Sequence, residues 1–432
     1  MTIRLEWPGR AWEPGNLAEM RGEAESIETG EKRATLIFGD ALDAAALLHA
    51  RGVRAHAVYV DPPYASQTDY VSEARLDGSK DGRTRRAVAF ADKWEIGGYL
   101  DMLAPRLEAA ARLLRDDGTL WVHLDWRSAY LVRVVLDEIF GREHFVNEIV
   151  WRRAPNLGRQ AASAQFGRTL DTIVVYGRER ASVVPPTRLE PIDSRAVRFD
   201  EEKRPFTTAP RGDYTDASIA KLEREGRVHR TKAGKVYIKY FLVQDERGDF
   251  FRERRVDTLW TDVPPLRHAK TSERTGYPTQ KPLALLDRIV RAASPEDGTV
   301  VDLFCGSGTT LEAAVRAGRR AYGSDQSPIA IATARARLLR AGVAPTIERT
   351  RGDLPRAAAR VSLDGRRVIL REPKEPLAWA VDTSGEDVFR ATWHAERTLG
   401  GPAEIPPFVD LERAPKSVRV RAWGDDGTVY EG

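Results

Sequence analysis

Short apolar runs alternate with helical patterns over most of this chain. The runs RATLIFGD, RAHAVYVD, TLWVHLDW, GTVVDLF and RRAYGSD are rich in strand-forming residues, and the stretches between them place apolar residues at helical spacing. Strands that alternate with helices of this length predict βαβ units and a mainly parallel sheet covered on both faces. We therefore expect an α/β fold.

The alternation stops after Trp151 and resumes near Gly276. The stretch between is arginine-rich and loop-like, with short strand candidates at LDTIVVYG and GKVYIKYFLV. We interpret the chain as one α/β domain, in two parts, with a long insertion. The predicted sections are an irregular lead-in (1–33), a first part of the domain (34–151), the insertion (152–275), a second part (276–345) and a β-rich C-terminal section (346–432).

Composition places the chain among ordinary globular proteins. It is 42% hydrophobic and 31% charged, and it has no apolar run long enough to span a bilayer. The N-terminus lacks the layout of a signal peptide, so we expect a cytoplasmic protein. The single cysteine, Cys305, excludes an internal disulfide and a cysteine-based zinc cluster within one chain, and we predict no metal site.

Positive charge is concentrated in the insertion. The net charge is only +4, but residues 151–275 contain 26 Lys and Arg against 18 Asp and Glu. An uneven basic section suits a polyanion-binding surface, and a solvated arginine-rich surface explains the count equally well. The candidates for contacts to phosphate or guanine are Arg152, Arg153, Arg159 and Arg168. The side chains of Trp94 and Trp126 are expected to pack within the protein rather than to contact a ligand.

A glycine-containing loop indicates a cofactor site. In VVDLFCGSGTT, Asp302 lies near the end of a predicted strand, and Gly306 and Gly308 allow a tight turn into a helix. Asp325 ends the next strand 19 positions after Gly306, where doubly wound nucleotide-binding folds place a carboxylate on ribose hydroxyls. These features predict a cofactor that contains adenosine.

The same loop argues against a phosphate-bearing cofactor. It has neither the third glycine of a dinucleotide fingerprint nor the Lys-Ser/Thr pair of a phosphate-binding loop. Asp302 would repel a pyrophosphate but would suit a cation, such as the amino and sulfonium groups of S-adenosylmethionine. Cys305 is interpreted as a packing residue that stays a thiol, because its setting is apolar.

The segment DPPY, Asp61 to Tyr64, ends another buried strand. In a parallel sheet, ligands bind beyond the carboxyl ends of strands, so Asp61 and Asp302 should face one crevice. Two successive prolines, Pro62 and Pro63, stiffen the segment and leave carbonyl oxygens without neighbouring N–H donors. The Asp61 carboxylate, the Pro62 carbonyl and the Tyr64 ring together suit an amino group in the plane of an aromatic base. A rigid turn with a packed tyrosine is the structural alternative.

DPPY together with DLFCGSGTT resembles the DNA amino-methyltransferases that act on adenine or cytosine. The order, with the catalytic motif first and the cofactor loop last, is similar to their permuted β group, which includes the modification subunits of Type III restriction systems. The segments TGYPTQKPLALLDRIV, FGDALDAAALL, LRDDGTLWVHLDW and IFGREHFVNEIVWRR add to the resemblance, which covers about residues 34 to 340. It implies a Rossmann-like methyltransferase sheet with a target-recognition insertion.

The resemblance also assigns roles to matching positions. It implies that S-adenosylmethionine is the cofactor, that Asp325 holds its ribose and that Asp40 approaches its adenine. The remaining residues predicted to bind the cofactor lie in two segments and are Thr279, Gln280, Lys281, Pro282, Asp302, Phe304, Gly306, Ser307, Gly308, Thr309 and Thr310. Leu303 stands where many relatives have proline, a minor departure because the position needs only an apolar residue.

The reaction expected is methyl transfer to the exocyclic N6 amine of adenine in duplex DNA. That amine lies inside the duplex, so the base would be flipped out and stacked on Tyr64. Cytosine N4 methylation uses the same geometry and remains the alternative, with Asp rather than Ser at the start of the motif favouring adenine. An RNA or protein amine, and a non-catalytic DNA-binding subunit, are further alternatives. The expected partner is duplex DNA, in a restriction-modification or solitary system; a separate nuclease subunit and a homodimer remain open.

Overall fold

Most of the first 180 residues form strands and helices in alternation. The computed structural model describes residues 4–15, 22–75, 84–156, 164–231, 233–350, 355–396, 405–424 and 426–432. In chain order, the first elements are β1 Glu25–Glu28, β2 Glu31–Phe38, α1 Ala41–Ala50, β3 Ala55–Val60, β4 Thr68–Arg75, β5 Thr84–Asp92, α2 Ile96–Leu113, β6 Leu114–Leu124, α3 Ala129–Phe140, β7 Phe145–Arg152 and β8 Leu170–Gly177.

Residues Pro185–Asp257 form a compact unit of their own. Its elements are β9 Thr187–Ile192, β10 Arg198–Phe199, β11 Pro205–Pro210, α4 Asp216–Arg224, β12 Val228–Arg230, β13 Val236–Phe241, β14 Val243–Gln244 and β15 Phe250–Arg255. They form one sheet in the order β10-β11-β13-β12 and another in the order β14-β15-β9. Phe206, Ile219 and Ile238 are buried within the unit.

The rest of the chain belongs to the other compact unit, Met1–Val184 with Thr258–Gly432. It continues with β16 Leu259–Trp260, α5 Leu283–Ala293, β17 Thr299–Asp302, α6 Thr309–Arg316, β18 Arg320–Asp325, α7 Pro328–Arg340 and β19 Pro345–Arg349. Among the described residues, no helix has both the length and the apolar character needed to cross a membrane.

A ten-stranded sheet is the centre of this unit. Its order is β1-β19-β2-β18-β17-β3-β6-β8-β7-β16, and the strands from β19 to β6 are all parallel to their neighbours. The second half of β6 is buried at every position and β3 at nearly every one, so helices cover both faces of the sheet. The predicted α/β fold with a mainly parallel sheet is confirmed.

The lead-in is more ordered than the sequence indicates. β1 pairs antiparallel with β19 at the edge of the sheet. Trp7 and Trp12 lie in the main hydrophobic core, and the indole of Trp12 donates a hydrogen bond to Glu108 on α2. Arg10 lies between these two rings and forms an ion pair with Glu138 on α3. The segment therefore packs across two helices, an arrangement that its Gly- and Pro-rich composition concealed.

Two other boundaries differ from the prediction. β8 and β16 lie inside the predicted insertion of 152–275, yet both pair in the central sheet, so the separate unit is the shorter 185–257. The stretch from Pro62 to Ala91 was expected to be a loop, but β4 and β5 pair within it as a hairpin. β8 and β16 pair with strands outside the predicted insertion, and local composition does not reveal such pairing.

The C-terminal section is β-rich, in line with the prediction. Its strands are β20 Arg356–Ala358, β21 Arg360–Asp364, β22 Arg367–Glu372, β23 Ala378–Asp382, β24 Trp393–Glu396, β25 Phe408–Asp410, β26 Arg419–Trp423 and β27 Val429–Glu431. They form a five-stranded sheet, β20-β27-β26-β23-β24, and a three-stranded sheet, β21-β22-β25. Trp379 and Val420 are part of the hydrophobic core of this section.

A buried ion pair connects α7, β1 and the C-terminal section. Arg335 donates two hydrogen bonds to Glu28, at 2.9 and 2.8 Å, and both side chains are almost fully buried. The Arg335 guanidinium also lies 3.4 Å from the ring centroid of Trp423, and Arg421 donates to the Ile27 carbonyl. Because the pair is buried, losing one partner leaves an uncompensated charge in the interior.

We predict that Glu28→Ala lowers the free energy of unfolding by about 3–5 kcal/mol, because Arg335 then stays buried without its counter-charge. Chemical denaturation measures the loss. Glu372→Ala, which breaks the exposed pair between Arg360 and Glu372, is the matched control and should change stability little. Equal losses in the two variants would contradict this account.

Candidate active site

The carboxyl ends of β3 and β17 lie side by side. In the register of these parallel strands, Tyr59 pairs with Asp302, and Asp61 follows two residues later. A cavity at this edge of the sheet is lined by fifteen of the predicted site residues: Asp40, Asp61, Pro62, Pro63, Tyr64, Thr279, Gln280, Lys281, Asp302, Phe304, Gly306, Ser307, Thr309, Thr310 and Asp325. Pro282 and Gly308 do not line it; they are the residues that precede α5 and α6.

The Asp61 carboxylate is held on both sides. The Tyr64 hydroxyl donates to Asp61 Oδ1 at 2.6 Å, and the Lys281 ammonium donates to Oδ2 at 2.5 Å. Burial and the nearby Asp61 charge raise the pKa of Tyr64 well above its usual range, so the hydroxyl remains a donor. Within the described residues, no N–H or O–H group donates to the Pro62 carbonyl oxygen. The DPPY segment thus presents one fixed carboxylate and one available carbonyl.

Lys281 was predicted to bind the cofactor, but its ammonium contacts Asp61 of the DPPY segment. Besides its contact with Asp61, its ammonium is 5.2 Å from the ring centroid of Tyr64. Only about a tenth of the Lys281 side chain is exposed. The ammonium therefore lies beside Asp61 and the Tyr64 ring, in the space where we expected an aromatic amine.

A buried histidine stacks on the Tyr64 ring. His123 stacks on Tyr64 with ring centroids 6.3 Å apart, and its Nδ1 is 2.8 Å from the Tyr59 hydroxyl. Its Nε2 lies 3.2 Å from Asp171, and Asp171 in turn forms an ion pair with Arg153 at 2.8 Å. Burial opposes ionisation of Asp171, but the hydrogen bond with His123 and the nearby charges, with those of Lys281 and Arg153 among them, outweigh it and lower the pKa of Asp171. His123 thus connects Tyr59 and Tyr64 with Asp171.

The four arginines proposed as DNA contacts have different surroundings. Arg153 is partly buried against Asp171, whereas Arg152 and Arg168 are exposed. Arg159 lies outside the described residues. In the 185–257 unit, many arginines form ion pairs with acidic neighbours: Arg195 with Asp193, Arg204 with Asp200, Arg211 with Asp216, Arg230 with Glu223 and Arg254 with Glu190. Much of the basic charge counted in the insertion is therefore neutralised locally.

The cofactor loop has a backbone shape that glycine permits. Gly306 and Gly308 have φ values of +47° and +75°, and a Cβ atom at Gly308 would lie 2.7 Å from that of Ala334. Asp325 accepts from the Gly306 amide at 2.9 Å and from the Ser327 amide at 2.8 Å. Asp325 thus holds the loop that precedes α6, in addition to facing the cavity.

Asp302 is a buried carboxylate at the floor of the cavity. It accepts from the Phe304 amide at 3.0 Å, and among the described residues no Lys or Arg forms an ion pair with it. Burial, opposed by hydrogen bonds from Thr310 and Phe304, raises the pKa of Asp302 to about 7; burial also raises the pKa of Asp325 to about 6. A buried acid without a cationic partner suits a ligand that brings its own positive charge.

Asp40 and Cys305 also line the cavity. Asp40 accepts from the Leu42 amide at the start of α1 and forms an ion pair with Arg106 at 2.6 Å, and it faces the cavity. Cys305 is buried, and burial raises the pKa of its thiol well above the usual range, so it is not a thiolate.

The β4–β5 hairpin adds residues that the sequence analysis missed. The fully buried Asp92 accepts three backbone N–H bonds, from Tyr64, Ala65 and Ser66, at 3.2, 2.8 and 2.9 Å. Tyr70 and Phe90 stack 4.8 Å apart, and Phe90 stacks at 6.4 Å on Tyr277, so an aromatic wall lines the cavity. The missed signal was two runs of strand-forming residues, TDYV and AVAF, on either side of a stretch with two Asp-Gly pairs, a pattern typical of a hairpin.

The comparisons with known proteins identify the family of this chain. The DNA methylase family of N6 and N4 enzymes matches residues 55–335, well over half of the chain, and the chain belongs to that family. It is 28% identical over 313 residues to the Type II methyltransferase M.EcaI of Enterobacter cloacae, covering 66% of this chain and 65% of the relative. It is 26% identical over 306 residues to the StyLTI Mod subunit, a Type III restriction-modification enzyme of Salmonella typhimurium, covering 59% and 45%. The chain thus spans about half to two thirds of these relatives.

Two solved structures with some likeness to the chain have lower sequence identities. The crystal structure of the M1.HpyAVI–SAM complex is 16% identical, with a TM-score of 0.40, and the match covers 70% of this chain and 98% of that one. PvuII DNA methyltransferase, described as cytosine-N4-specific, is 14% identical with a TM-score of 0.40 and coverages of 71% and 88%.

We predict that Asp92→Asn loosens the loop after DPPY. The amide removes a charged acceptor from three N–H groups, so hydrogen exchange of the Tyr64, Ala65 and Ser66 amides should accelerate by about 10- to 100-fold, the equivalent of about 1.5–3 kcal/mol. Mass spectrometry of peptides from this segment measures it. Asp69→Asn, which removes an exposed partner of Lys93 in the same hairpin, is the control. Unchanged exchange in Asp92→Asn would show that the carboxylate does not hold the loop.

Proposed function

We propose that this protein is an S-adenosylmethionine-dependent methyltransferase that modifies the exocyclic N6 amine of adenine in duplex DNA. The observation that carries the proposal is the shared cavity: the DPPY segment and the glycine loop, some 240 positions apart in the chain, line the same space. An acceptor pair for an amine and a carboxylate floor for a cation are thus adjacent. Membership of the DNA methylase family supports DNA as the substrate.

The residues around the glycine loop suit S-adenosylmethionine. Asp302 offers a buried negative charge without a Lys or Arg partner among the described residues, and the Gly306 and Gly308 backbone allows a ligand to approach closely. Asp325 and Asp40 line the same cavity and would contact the ribose and adenine. When bound, the cofactor would supply the methyl group from its sulfonium.

Asp61, Pro62 and Tyr64 would hold and orient the target amine. The amine would donate one hydrogen bond to Asp61 and one to the Pro62 carbonyl, which favours a pyramidal nitrogen with its lone pair aimed at the methyl group. Asp61 would also stabilise the positive charge that develops on that nitrogen as the sulfur–methyl bond breaks, and the methylated amine would then lose one proton to solvent. The Tyr64 hydroxyl fixes the Asp61 carboxylate, and His123 supports one face of the Tyr64 ring, leaving the other for the flipped base.

Lys281 adds a requirement to this mechanism. Its ammonium contacts Asp61 and lies near the Tyr64 ring. A carboxylate oxygen has two lone pairs, so the target amine can share Asp61 with Lys281 or replace it there. In either case, the entry of the base would move the ammonium away from the ring.

Adenine is favoured over cytosine because the motif begins with Asp61 rather than with serine. Cytosine N4 methylation is the second candidate, since the same two acceptors suit either amine. We further propose that the protein works in a restriction-modification or solitary methylation system, with any nuclease activity supplied by another polypeptide. Both relatives described above carry names from restriction-modification or Type II methylation systems.

A labelled-methyl transfer assay on duplex DNA tests this function. DNA incubated with the protein and S-[methyl-³H]adenosylmethionine is digested to nucleosides, which are then separated. Label in N6-methyl-2′-deoxyadenosine supports the proposal, label in N4-methyl-2′-deoxycytidine supports the second candidate, and the absence of label in DNA contradicts both.

We predict that Asp61→Ala abolishes methyl transfer, with kcat at least about 100- to 1,000-fold lower, because the charge opposite the target nitrogen is lost. Equilibrium binding of S-adenosylmethionine should remain nearly unchanged, since the glycine loop is untouched. Asp69→Asn, on the exposed face of the hairpin, controls for the loss of one carboxylate. Full activity in Asp61→Ala would reject the assigned role.

We predict that the affinity for S-adenosylmethionine falls as the pH falls below about 7. Burial raises the pKa of Asp302 to about 7, so the carboxyl is ionised above that pH and increasingly neutral below it. A cationic ligand needs the ionised form, so the Kd at pH 6 should be about tenfold higher than at pH 8. Isothermal titration calorimetry measures it.

Two controls make the pH test specific. The neutral compound 5′-methylthioadenosine should bind with little dependence on pH over the same interval. Asp302→Asn should bind S-adenosylmethionine weakly at both pH values and lose the dependence. A constant Kd for the wild-type protein from pH 6 to 8 would contradict the role of Asp302.

A further inference from the structure

An exposed tryptophan with two arginines lies at the same edge of the sheet as Asp61. Trp126 follows β6, and 47% of its surface is exposed, which contradicts the expectation that it packs; Trp94 does pack against the core. The guanidinium carbon of Arg127 is 5.0 Å from the Trp126 ring centroid, and that of Arg168 is 3.9 Å away. We refer to Trp126, Arg127 and Arg168 as the Trp126 cluster.

The turn that carries the Trp126 cluster is held rigidly. The buried Asp125 accepts from the Arg127 amide at 2.9 Å and forms an ion pair with the Arg127 side chain. The Asp125 carbonyl accepts from the Ser128 and Ala129 amides at the start of α3. Trp126 is therefore presented by a fixed turn, and its ring limits the positions of both guanidinium groups.

The charge of the cluster is not cancelled. Arg127 is paired with Asp125, but among the described residues no carboxylate forms an ion pair with Arg168, which is exposed. Elsewhere in the unit, exposed arginines such as Arg180 have acidic partners. A cation that is immobilised on an aromatic ring, rather than paired, is suited to an anion supplied from outside.

A chain of contacts connects the cluster with the Tyr64 pocket. Arg153 donates to the Arg168 carbonyl at 3.4 Å and forms an ion pair with Asp171, which contacts His123 behind Tyr64. In the register of β3 and β6, Val60 pairs with Val122, so Asp61 lies beside His123 and Trp126 is three residues further on. Three residues of chain span at most about 10 Å, so Trp126 lies within roughly 10 Å of the residue beside Asp61.

We propose that the Trp126 cluster is a phosphate clamp, which binds the DNA backbone close to the nucleotide whose base enters the Tyr64 pocket. A separation of roughly 10 Å corresponds to about three phosphates along the axis of one DNA strand, so a backbone whose base reaches Asp61 passes the cluster. Arg168 contacts phosphate directly, and Trp126 fixes its guanidinium. The clamp rests on the proposed action on DNA and assigns that substrate a binding site outside the cavity.

Salt-dependent DNA binding tests the clamp. The Kd of a short fluorescent duplex of arbitrary sequence is measured by anisotropy between about 50 and 200 mM salt. For Arg168→Gln, we expect the slope of log affinity against log salt to lose about 0.9, and the Kd near 0.15 M salt to rise about fivefold, as for one lost phosphate contact. Trp126→Ala, which leaves both charges in place, should also raise the Kd, whereas Trp126→Phe should preserve binding.

Arg180→Gln is the matched control. It removes the same charge from an arginine beside Asp116, near the start of β6 and thus at the opposite end of the same strand. It should leave the Kd and the slope unchanged. Equal S-adenosylmethionine binding by all variants shows that they are folded. A wild-type slope and Kd in Arg168→Gln, or the same loss in Arg180→Gln, would overturn the clamp.

The test of the clamp and the test of the proposed function can fail independently. If the wild-type protein methylates DNA but Arg168→Gln binds it normally, only the clamp is rejected. If the wild-type protein transfers no methyl group to DNA, the proposed function fails whatever the variants do.

Discussion

The parallel pairing of β3 with β17 is the constraint on which the site depends. The two strands run in the same direction, and they are in register from the Ala57–Val300 pair to the Tyr59–Asp302 pair. The residues that follow them therefore emerge at one edge of the sheet. Helices on both faces leave that edge as the place where backbone and side chains can meet a ligand. The acceptors at Asp61 and the carboxylate at Asp302 come together for this reason alone, since the chain separates them by some 240 positions.

Electrostatics then divides the cavity into two parts. Asp61 already has two donors, Tyr64 and Lys281, and is a charged acceptor in a fixed position. Asp302 has no such cation within the described residues, and burial raises the pKa of Asp302 to about 7. The two carboxylates therefore suit different ligands. Asp61 suits a neutral amine, and Asp302, which has no cationic partner among the described residues, suits a cationic ligand.

The sequence predicted the parallel sheet and the residues that line the cavity because both depend on local patterns. Apolar runs that end in a carboxylate mark strand ends, and glycines mark the loop before α6. It did not predict Asp92, the aromatic wall or the position of Lys281, because each depends on a contact with a residue distant in the chain. Asp92, for example, accepts from the Tyr64 amide only because the β4–β5 hairpin brings it back to the DPPY segment. The packing of Trp7 and Trp12 onto α2 was hidden for the same reason.

The proposed mechanism requires one cavity that holds the target amine between Asp61 and the Pro62 carbonyl. A crystal structure of the protein with S-adenosylhomocysteine and a duplex that contains the target base would reveal this contact. We expect a flipped base beside Tyr64, its amino nitrogen about 2.7–3.2 Å from both acceptors and the Lys281 ammonium away from the ring. A base amine that contacts neither acceptor, with Lys281 still in place over Tyr64, would contradict this mechanism.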